Sequence, residues 1–282
     1  MAPQPGGGPV WYTAQYQGAL GRLDPATGET RHIALGDGSR PHGVIVGPDG
    51  DAWVTDGGLN AIVRVDTDTL EVTSHPLPGD TGYANLNTAA FDASGTLWFT
   101  GQSGIYGRLD PARGEMDVFD APRGRGPYGI TATPDGEIYY ASLAGSYVGH
   151  VDTDSGEVTV LEPPNANQGA RRVWSDADGR IWVSEWNTGV LSRYAPDSRE
   201  WRSWPLPGDN AHAYAVYVDF QGHVWVSDFG ANAVLRFDPE RERFEPFPSP
   251  ESNAAVRQML GREGEVWAPE SGTDTLVRFR VR

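Results

Sequence analysis

Short apolar runs separated by polar turns recur along the chain, and residues 212–238 show the pattern most clearly. Two runs begin at Ala215 and Val224, with a turn around Gly222 between them, and a third run ends at Asp238. The length and the β-branched and aromatic content of these runs predict three strands. Because three strands cannot bury both faces of a sheet, a chain built from such units must stack them.

A large aromatic residue recurs in the second run of every unit. The copies are Trp11, Trp53, Trp98, Tyr139, Trp182, Trp225 and Trp267, with spacings of 42, 45, 41, 43, 43 and 42 residues. A period in the forties with several strands per unit is typical of a β-propeller blade. The sequence therefore predicts an all-β fold, a seven-bladed β-propeller of roughly four-stranded blades, with six blades as the alternative.

No composition shift or linker divides the 282 residues, so we expect a single propeller domain over residues 9–282. Residues 1–8 are rich in Gly and Pro, which form poor strands, and are predicted to be a flexible tail. The first unit begins at its second strand and the last ends on its third. One inner and one outer strand are therefore missing from the predicted ring.

Composition excludes several functions. A net charge of −16 argues against nucleic acid or an anionic membrane as partner. The chain has no Lys, which excludes a Schiff base, and no Cys, which excludes thiol chemistry and disulfides. No apolar segment is long enough to cross a bilayer, and the start lacks the features of a signal peptide. The sequence therefore does not decide in which cellular compartment the protein acts. We expect a monomer that binds a small molecule or peptide and needs no organic cofactor.

The longer loops of the units, which connect strands two and three and successive blades, are predicted to share one face. Eleven residues before each repeated aromatic, at the start of the innermost strand, a ring of varied and mostly polar residues is expected around the central channel. It comprises His42, Asn87, Tyr128, Arg171, Tyr214 and Val256. Such variation favours a ligand-binding mouth, and a ring that only solvates a water-filled channel is the equal alternative.

Three residues after each aromatic, a second ring contains four acids, Asp56, Glu185, Asp228 and Glu270. Carboxylates around one opening suit Mg²⁺, or Ca²⁺ as the alternative, and Glu185, Asp228 and Glu270 are the predicted ligands. The competing interpretation, which we favour for any single acid, is that it accepts hydrogen bonds from its own loop.

Candidate chemistry concentrates in blades five to seven. His212 has the side chain best suited to act as a general base near neutral pH, and Arg171 can stabilise an anion. The predicted catalytic residues are His212, Tyr214 and Arg171. The predicted substrate-binding residues are His42, Tyr128, Trp186, Phe229 and Arg257.

A repeated Arg precedes an Asp by two residues in the third strand of several units, as in Arg22 and Asp24 or Arg236 and Asp238. Residues two apart share a face of a strand, so an ion pair is expected there in each blade.

The segments GPYGITATPDGEIYYAS, SRPHGVIVGPDGDAWVTD, IWVSEWNTG and VWVSDFGANAVLRFD resemble the blades of the virginiamycin B lyase (streptogramin lyase) family. The resemblance covers nearly the whole chain. It implies a seven-bladed propeller that opens a cyclic depsipeptide antibiotic by elimination: a base removes the α-proton beside an ester and the carboxylate leaves. It also implies Mg²⁺ as the group that polarises the ester.

The catalytic His residues that the resemblance implies are mostly not matched. Their positions in blades six and seven hold Tyr214 and Val256, and Ala254 replaces an expected Glu. The PHG motif at 41–43 opens blade two instead, and Glu270 lies one position from the expected acid. The chain is identified as a divergent member of the family.

Two classes of function follow. The first is a metal-assisted carbon–oxygen lyase, or a metal-dependent hydrolase or lactonase, with His212 as base. The second is a non-catalytic propeller that binds a small molecule, peptide or glycan at its mouth. Clustered carboxylates and His212 favour the first class, and the unmatched family residues favour the second.

Overall fold

The structure is a computed structural model that describes residues 1–281. Its strands form seven antiparallel sheets, and in each sheet the strands pair in chain order. Blade 1 contains β1 Ala2–Pro3, β2 Val10–Ala14, β3 Ala19–Leu23 and β4 Thr30–Ala34. Blade 2 contains β5 Pro41–Val46, β6 Ala52–Asp56, β7 Ala61–Val65 and β8 Val72–Pro76. Blade 3 contains β9 Leu86–Phe91, β10 Leu97–Gly101, β11 Ile105–Asp110 and β12 Glu115–Asp120.

The remaining blades follow the same order. Blade 4 contains β13 Pro127–Ala132, β14 Ile138–Ser142, β15 Tyr147–Val151 and β16 Val158–Leu161. Blade 5 contains β17 Ala170–Ser175, β18 Ile181–Glu185, β19 Val190–Ala195 and β20 Glu200–Pro205. Blade 6 contains β21 Ala213–Val218, β22 Val224–Asp228, β23 Ala233–Asp238 and β24 Arg243–Pro248. Blade 7 contains β25 Leu260–Arg262, β26 Glu265–Glu270 and β27 Thr275–Arg280.

The first strand of each blade lies next to the first strand of the following blade from β1 to β21, and β25 contacts β1. The sheets therefore form a ring around a central channel, which confirms the seven-bladed propeller and excludes the six-bladed alternative. The helical structure in residues 1–281 is one short 3-10 turn, Gln15–Gln17, and no helix in this range could span a membrane.

Ring closure differs from the sequence prediction. Ala2–Pro3 pairs with β2 as the innermost strand of blade 1, and the Met1 side chain is buried in the same cluster as Met259 and Leu260 of blade 7. The prediction of a flexible tail over residues 1–8 is therefore wrong at its start. The signal was weak because Gly and Pro dominate the segment and the strand has only two residues. Blade 7 has three strands within residues 1–281, as the sequence predicted.

The repeated aromatic residue lies on the second strand of each blade and is buried between blades in all seven copies. Where it is Trp, its indole N–H donates to a side chain near the preceding tight turn, as Trp182 does to Asp176 at 2.8 Å. The repeated Arg lies over the Trp ring, with guanidinium carbon to centroid distances of 5.5–5.9 Å. This stacking and the hydrogen bond fix the register of the six blades that contain the Trp.

The predicted ion pair between this Arg and the Asp two residues later is wrong. Asp24 and its equivalents accept backbone N–H bonds from their own turns, 2.8 Å from Ala26 N in blade 1. The arginines that form ion pairs use other acids, for example Asp51 for Arg64. The turn at the end of the strand supplies backbone N–H donors, which lie closer to the Asp carboxylate than the guanidinium does.

Candidate functional site at the channel mouth

The ring of residues predicted around the channel lies in a series of β-bulges. The pairing between the first and second strands shifts register at His42, Tyr128, Arg171 and Tyr214 in blades 2, 4, 5 and 6. A bulge leaves one residue unpaired and redirects its side chain. The bulges therefore release these four side chains from the blade faces, at the end of each strand nearest the long loops.

Hydroxyl groups on the neighbouring blades hold these bulges in place. The residue two after the repeated aromatic donates to the backbone carbonyl of the ring residue in the next blade. The pairs are Thr13 to His42, Thr55 to Asn87, Thr100 to Tyr128, Ser184 to Tyr214 and Ser227 to Val256. Blade 4 has Ala141 at this position, and the carbonyl of Arg171 has no such partner. The Thr or Ser repeated two residues after the aromatic is the signal in the sequence for these contacts.

Tyr128 and Tyr214 meet across the channel through a hydrogen bond between their hydroxyl groups. Arg171 covers this pair: its guanidinium carbon lies 3.6 Å from the Tyr214 ring centroid, and its Nη2 donates to Tyr128 Oη at 3.3 Å. Both tyrosines are buried, whereas Arg171 is partly exposed. The predicted catalytic Tyr214 and Arg171 are therefore in direct contact, and Tyr128 joins them.

The pKa values of the Tyr128 and Tyr214 phenols shift in opposite directions. Burial alone would raise the pKa of Tyr214, but the positive charges of Arg172 and Arg171 lower it below its ordinary value. The pKa of Tyr128 is raised, first by burial and then by the neighbouring Tyr214. Tyr214 is therefore the phenol that ionises more readily, and Tyr128 is placed to donate a hydrogen bond to it.

Arg172 belongs to this site but was not among the predicted catalytic, substrate-binding or metal-ligating residues. It is 6% exposed, and its guanidinium carbon lies 4.9 Å from the centroid of the Tyr128 ring. The signal was its position: the residue after the mouth residue is Gly43, Thr88, Gly129 or Ala215 in blades 2, 3, 4 and 6, and is Arg in blades 5 and 7. A long cation in a slot otherwise held by small residues indicates a specific role.

An aromatic cluster borders the mouth on the side of blades 5 and 6. Trp186 stacks on His212 at 4.9 Å and contacts Tyr214 and Phe229 edge to face, and Phe229 stacks on Tyr214 at 4.8 Å. The guanidinium carbon of Arg257, an exposed residue, lies 5.7 Å from the Phe229 ring centroid. The structure thus brings the predicted binding residues Trp186, Phe229 and Arg257 to the same edge as Tyr214.

The two candidate histidines are held in the same way. His212 Nδ1 lies 3.0 Å from the carbonyl oxygen of Trp186, and His42 Nδ1 lies 2.9 Å from that of Asn87. A carbonyl oxygen only accepts, so each Nδ1 carries a proton and Nε2 remains the acceptor in the neutral ring. Burial, and then the charge of Arg172, lower the pKa of His42 to about 4. His42 is therefore neutral at pH 7.

The three predicted metal ligands each accept hydrogen bonds from nearby groups, and Asp228 and Glu270 line the same pocket. Glu185 accepts from Asn165, Thr188 and Ser192 at 2.5–2.8 Å. Asp228 accepts the backbone N–H of His212 and Gly230 at 2.9 Å, and Glu270 accepts from Ser249 and Thr273. The backbone donors to Asp228 agree with the loop interpretation, although its Oδ2 is buried without a partner. Glu185 and Glu270 accept from side chains instead.

A hard divalent cation needs several oxygen ligands around one point. Within residues 1–281 no three His, Cys, Asp or Glu side chains are grouped so that they could hold a metal ion. The described residues therefore do not form a set of oxygen donors that fits Mg²⁺ or Ca²⁺. Binding of either ion stays a prediction.

Charge at the mouth is one-sided. Arg171, Arg172 and Arg257 have no acidic side chain within 4.0 Å in the part of the chain that the structure describes. The Nε atoms of Arg171 and Arg172 and the amide nitrogen of Asn87 are buried and donate to no partner. In a chain of net charge −16, a cluster of unpaired cations and unused donors indicates a site for an acceptor-rich or anionic group.

Comparison with known proteins shows the family to which this chain belongs. The model of the virginiamycin B lyase family matches residues 3–200. Virginiamycin B lyase from Nocardia farcinica (strain IFM 10152) is 32% identical over 198 residues, which cover 58% of this chain and 68% of the relative. The family match ends within β20, so the candidate residues of blades 6 and 7 lie outside it.

Solved structures show the same fold at lower identity. A streptogramin B lyase structure has a TM-score of 0.87 at 21% identity and covers 96% of this chain and 89% of its own. A catalytically inactive virginiamycin B lyase variant from Staphylococcus aureus with quinupristin has a TM-score of 0.78 at 20% identity, over 89% and 87% of the two chains. Hydrazine synthase from Kuenenia stuttgartiensis reaches 0.82 at 14% identity, over 99% and 94%, so the fold alone does not define the chemistry.

Proposed function

Because this chain belongs to the virginiamycin B lyase family, we propose that it opens an ester in a small molecule by elimination, at the channel mouth, with Tyr214 as base. The contact between Arg171 and the Tyr128–Tyr214 pair, without an acidic partner in residues 1–281, is the observation that carries the proposal. A phenol whose pKa is lowered by two arginines can ionise and accept a proton.

The reaction balances without water. The ionised Tyr214 oxygen takes the proton from the carbon next to the ester-bearing carbon, and that C–H pair forms the new C=C bond. The C–O bond breaks, and its electrons leave with the carboxylate. The products are an open chain with a double bond and a free carboxylate, and the proton is left on Tyr214.

The arginines stabilise the negative charge that develops in this step. Arg171 and Arg257 lie at the mouth, where they can hold the ester carbonyl and the leaving carboxylate through paired N–H donors. Arg171 has to move from the Tyr214 ring towards the substrate, which its partial exposure allows. Trp186 and Phe229 offer apolar surface for the body of the substrate.

His212 has a positioning role in this proposal. Its ring stacks on Trp186, and its Nδ1 bonds to the carbonyl oxygen of the same residue, so it fixes the aromatic wall beside Tyr214. The proposal uses no metal ion, since the described residues do not form a donor set for one.

Replacement of the phenol tests the proposal with quinupristin as substrate. Tyr214→Phe should lower kcat by a factor of about 10² to 10⁴, the range of a lost general base. Tyr140→Phe is the matched control, because Tyr140 forms a second buried hydroxyl pair, with Tyr147 at 2.8 Å, away from the mouth. Equal activity of the Tyr214 variant and the control would refute the role of Tyr214.

A non-catalytic binding propeller is the second candidate. It is favoured by the presence of Tyr214 and Val256 at the two positions where the family resemblance implies catalytic His residues. Saturable quinupristin binding by calorimetry, with no turnover by the intact chain, would select this candidate over the lyase.

A further inference from the structure

Beneath the mouth, the channel contains a small, partly open cavity with one arginine in its wall. The cavity has a volume of about 30 Å³. Its lining is apolar except for Arg172, Thr88 and Gln258, and no acidic residue contributes to it. A volume of this size corresponds to about one water molecule.

Arg172 is built into this wall. Its Nη1 donates to Thr88 Oγ1, which in turn donates to Asn87 Oδ1 at 2.7 Å, so the hydroxyl and amide hold the guanidinium in place. A Cβ at Gly129 would lie 2.7 Å from Cα and 3.0 Å from Cδ of Arg172. The absence of a side chain at Gly129 is therefore what lets the Arg172 side chain pass.

The charge of Arg172 is not compensated. Its Nε is buried and has no hydrogen-bond partner, and no carboxylate of residues 1–281 forms an ion pair with it. The ionisable groups that act on it most are the phenols of Tyr128 and Tyr214, which are neutral when protonated, and the cations Arg171 and Arg257. An unpaired buried charge costs several kcal/mol, so a counter-ion at this point would stabilise the fold.

We infer that this cavity is a binding site for one small monovalent anion of the size of chloride, held by the Arg172 guanidinium. The volume of about 30 Å³ suits one small anion better than a sulfate or a phosphate. The apolar remainder of the lining suits a weakly hydrated halide. The inference concerns the protein with Tyr214 protonated, because an ionised Tyr214 would itself provide a negative charge beside Arg172.

Stability measurements with different sodium salts at equal ionic strength test the site. Chloride and bromide should raise the unfolding midpoint in a saturable way, and gluconate, which is too large for the cavity, should not. Arg172→Met keeps the length of the side chain and should lose the halide effect. Arg193→Met is the matched control, because Arg193 Nε is also buried without a partner but lies over Trp182, in the outer part of blade 5.

Crystals of the intact chain soaked in bromide provide a readout that does not depend on folding of the variant. The expected result is an anomalous peak within hydrogen-bond distance of the Arg172 guanidinium. Density for water alone at this point, or a halide effect that Arg172→Met retains, would overturn the inference.

Discussion

The chemistry of the mouth depends on individual residues at positions that the blade repeat leaves free. The offset of eleven residues from the repeated aromatic identifies His42, Tyr128, Arg171 and Tyr214 as ring members, and the structure places all four in bulges. The offset could not reveal which of them touch. Contact across the channel depends on ring size and bulge geometry, which one repeat does not encode.

His42 makes the stability of the protein depend on pH. Its pKa is about 4 in the folded protein and about 6.5 in the unfolded chain. Between these values the unfolded chain binds more protons, so the free energy of unfolding falls as the pH is lowered from 6.5 to 4, by about 3 kcal/mol in total, and the loss is complete below 4. Urea unfolding of the intact protein and His42→Gln at pH 7 and pH 4.5 measures this contribution.

The variant should lack this part of the pH dependence, because Gln cannot gain a proton. The difference in unfolding free energy between the two proteins should therefore change with pH in this window. A difference that stays constant from pH 7 to pH 4.5 would show that His42 titrates normally.

Blades 2, 4 and 6 each fix one mouth residue through backbone geometry. The bulge directs the side chain, and the hydroxyl of the preceding blade holds the bulge carbonyl. This link between blades explains why the mouth can vary in residue type without loss of the frame. The position of the repeated aromatic predicts the second strands and their turns, because tight turns and buried Trp leave a strong pattern in the sequence.

Thr100→Val tests the hydroxyl link in one blade. The change keeps the shape of the side chain but leaves the buried carbonyl of Tyr128 without its donor. We expect a loss of about 1–3 kcal/mol in the free energy of unfolding, measured in urea. Thr159→Val, on the exposed outer strand of blade 4, should change stability by less than about 0.5 kcal/mol. Equal effects of the two substitutions would contradict the link.

Other features of the elements are not visible in the sequence. The acids three residues after the aromatics could bind a metal or accept hydrogen bonds from a loop. Only the groups that contact each acid in the structure distinguish these roles. Asp56 shows the loop role, since Oδ1 accepts the N–H groups of Arg40, Gly58 and Leu59 at 2.8–3.0 Å. Short loops that supply such donors look the same in sequence as loops that expose an acid.

At the scale of the whole molecule, the ring closes where the N-terminal residues and strand β1 pack against blade 7. Met1 and Ala2 lie in one hydrophobic cluster with Met259, Leu260 and Val266. Gln4 accepts from the Trp11 indole at 3.0 Å, and Arg262 Nη1 donates to the carbonyl oxygen of Gln4 at 3.1 Å. A strand of two residues lies below the length that a sequence pattern can predict, so this closure was found only in the structure.

Deletion of residues 1–8 should therefore destabilise the propeller. Burial of a Met side chain contributes about 1.5–3 kcal/mol, and the lost hydrogen bonds add to it, so we expect a loss of about 3 kcal/mol or more. Thermal unfolding of the shortened and intact chains measures the effect. A midpoint that is unchanged by the deletion would support a flexible tail instead.

We propose that the mouth opens an ester by elimination through Tyr214 and the arginines, without a metal. Mass analysis of the product formed from quinupristin, with and without a chelator, tests it most directly. We expect an open product of the same mass as the substrate, with a new double bond, formed at the same rate in both conditions. A product that has gained water, a reaction that stops with chelator, or no product at all would contradict it.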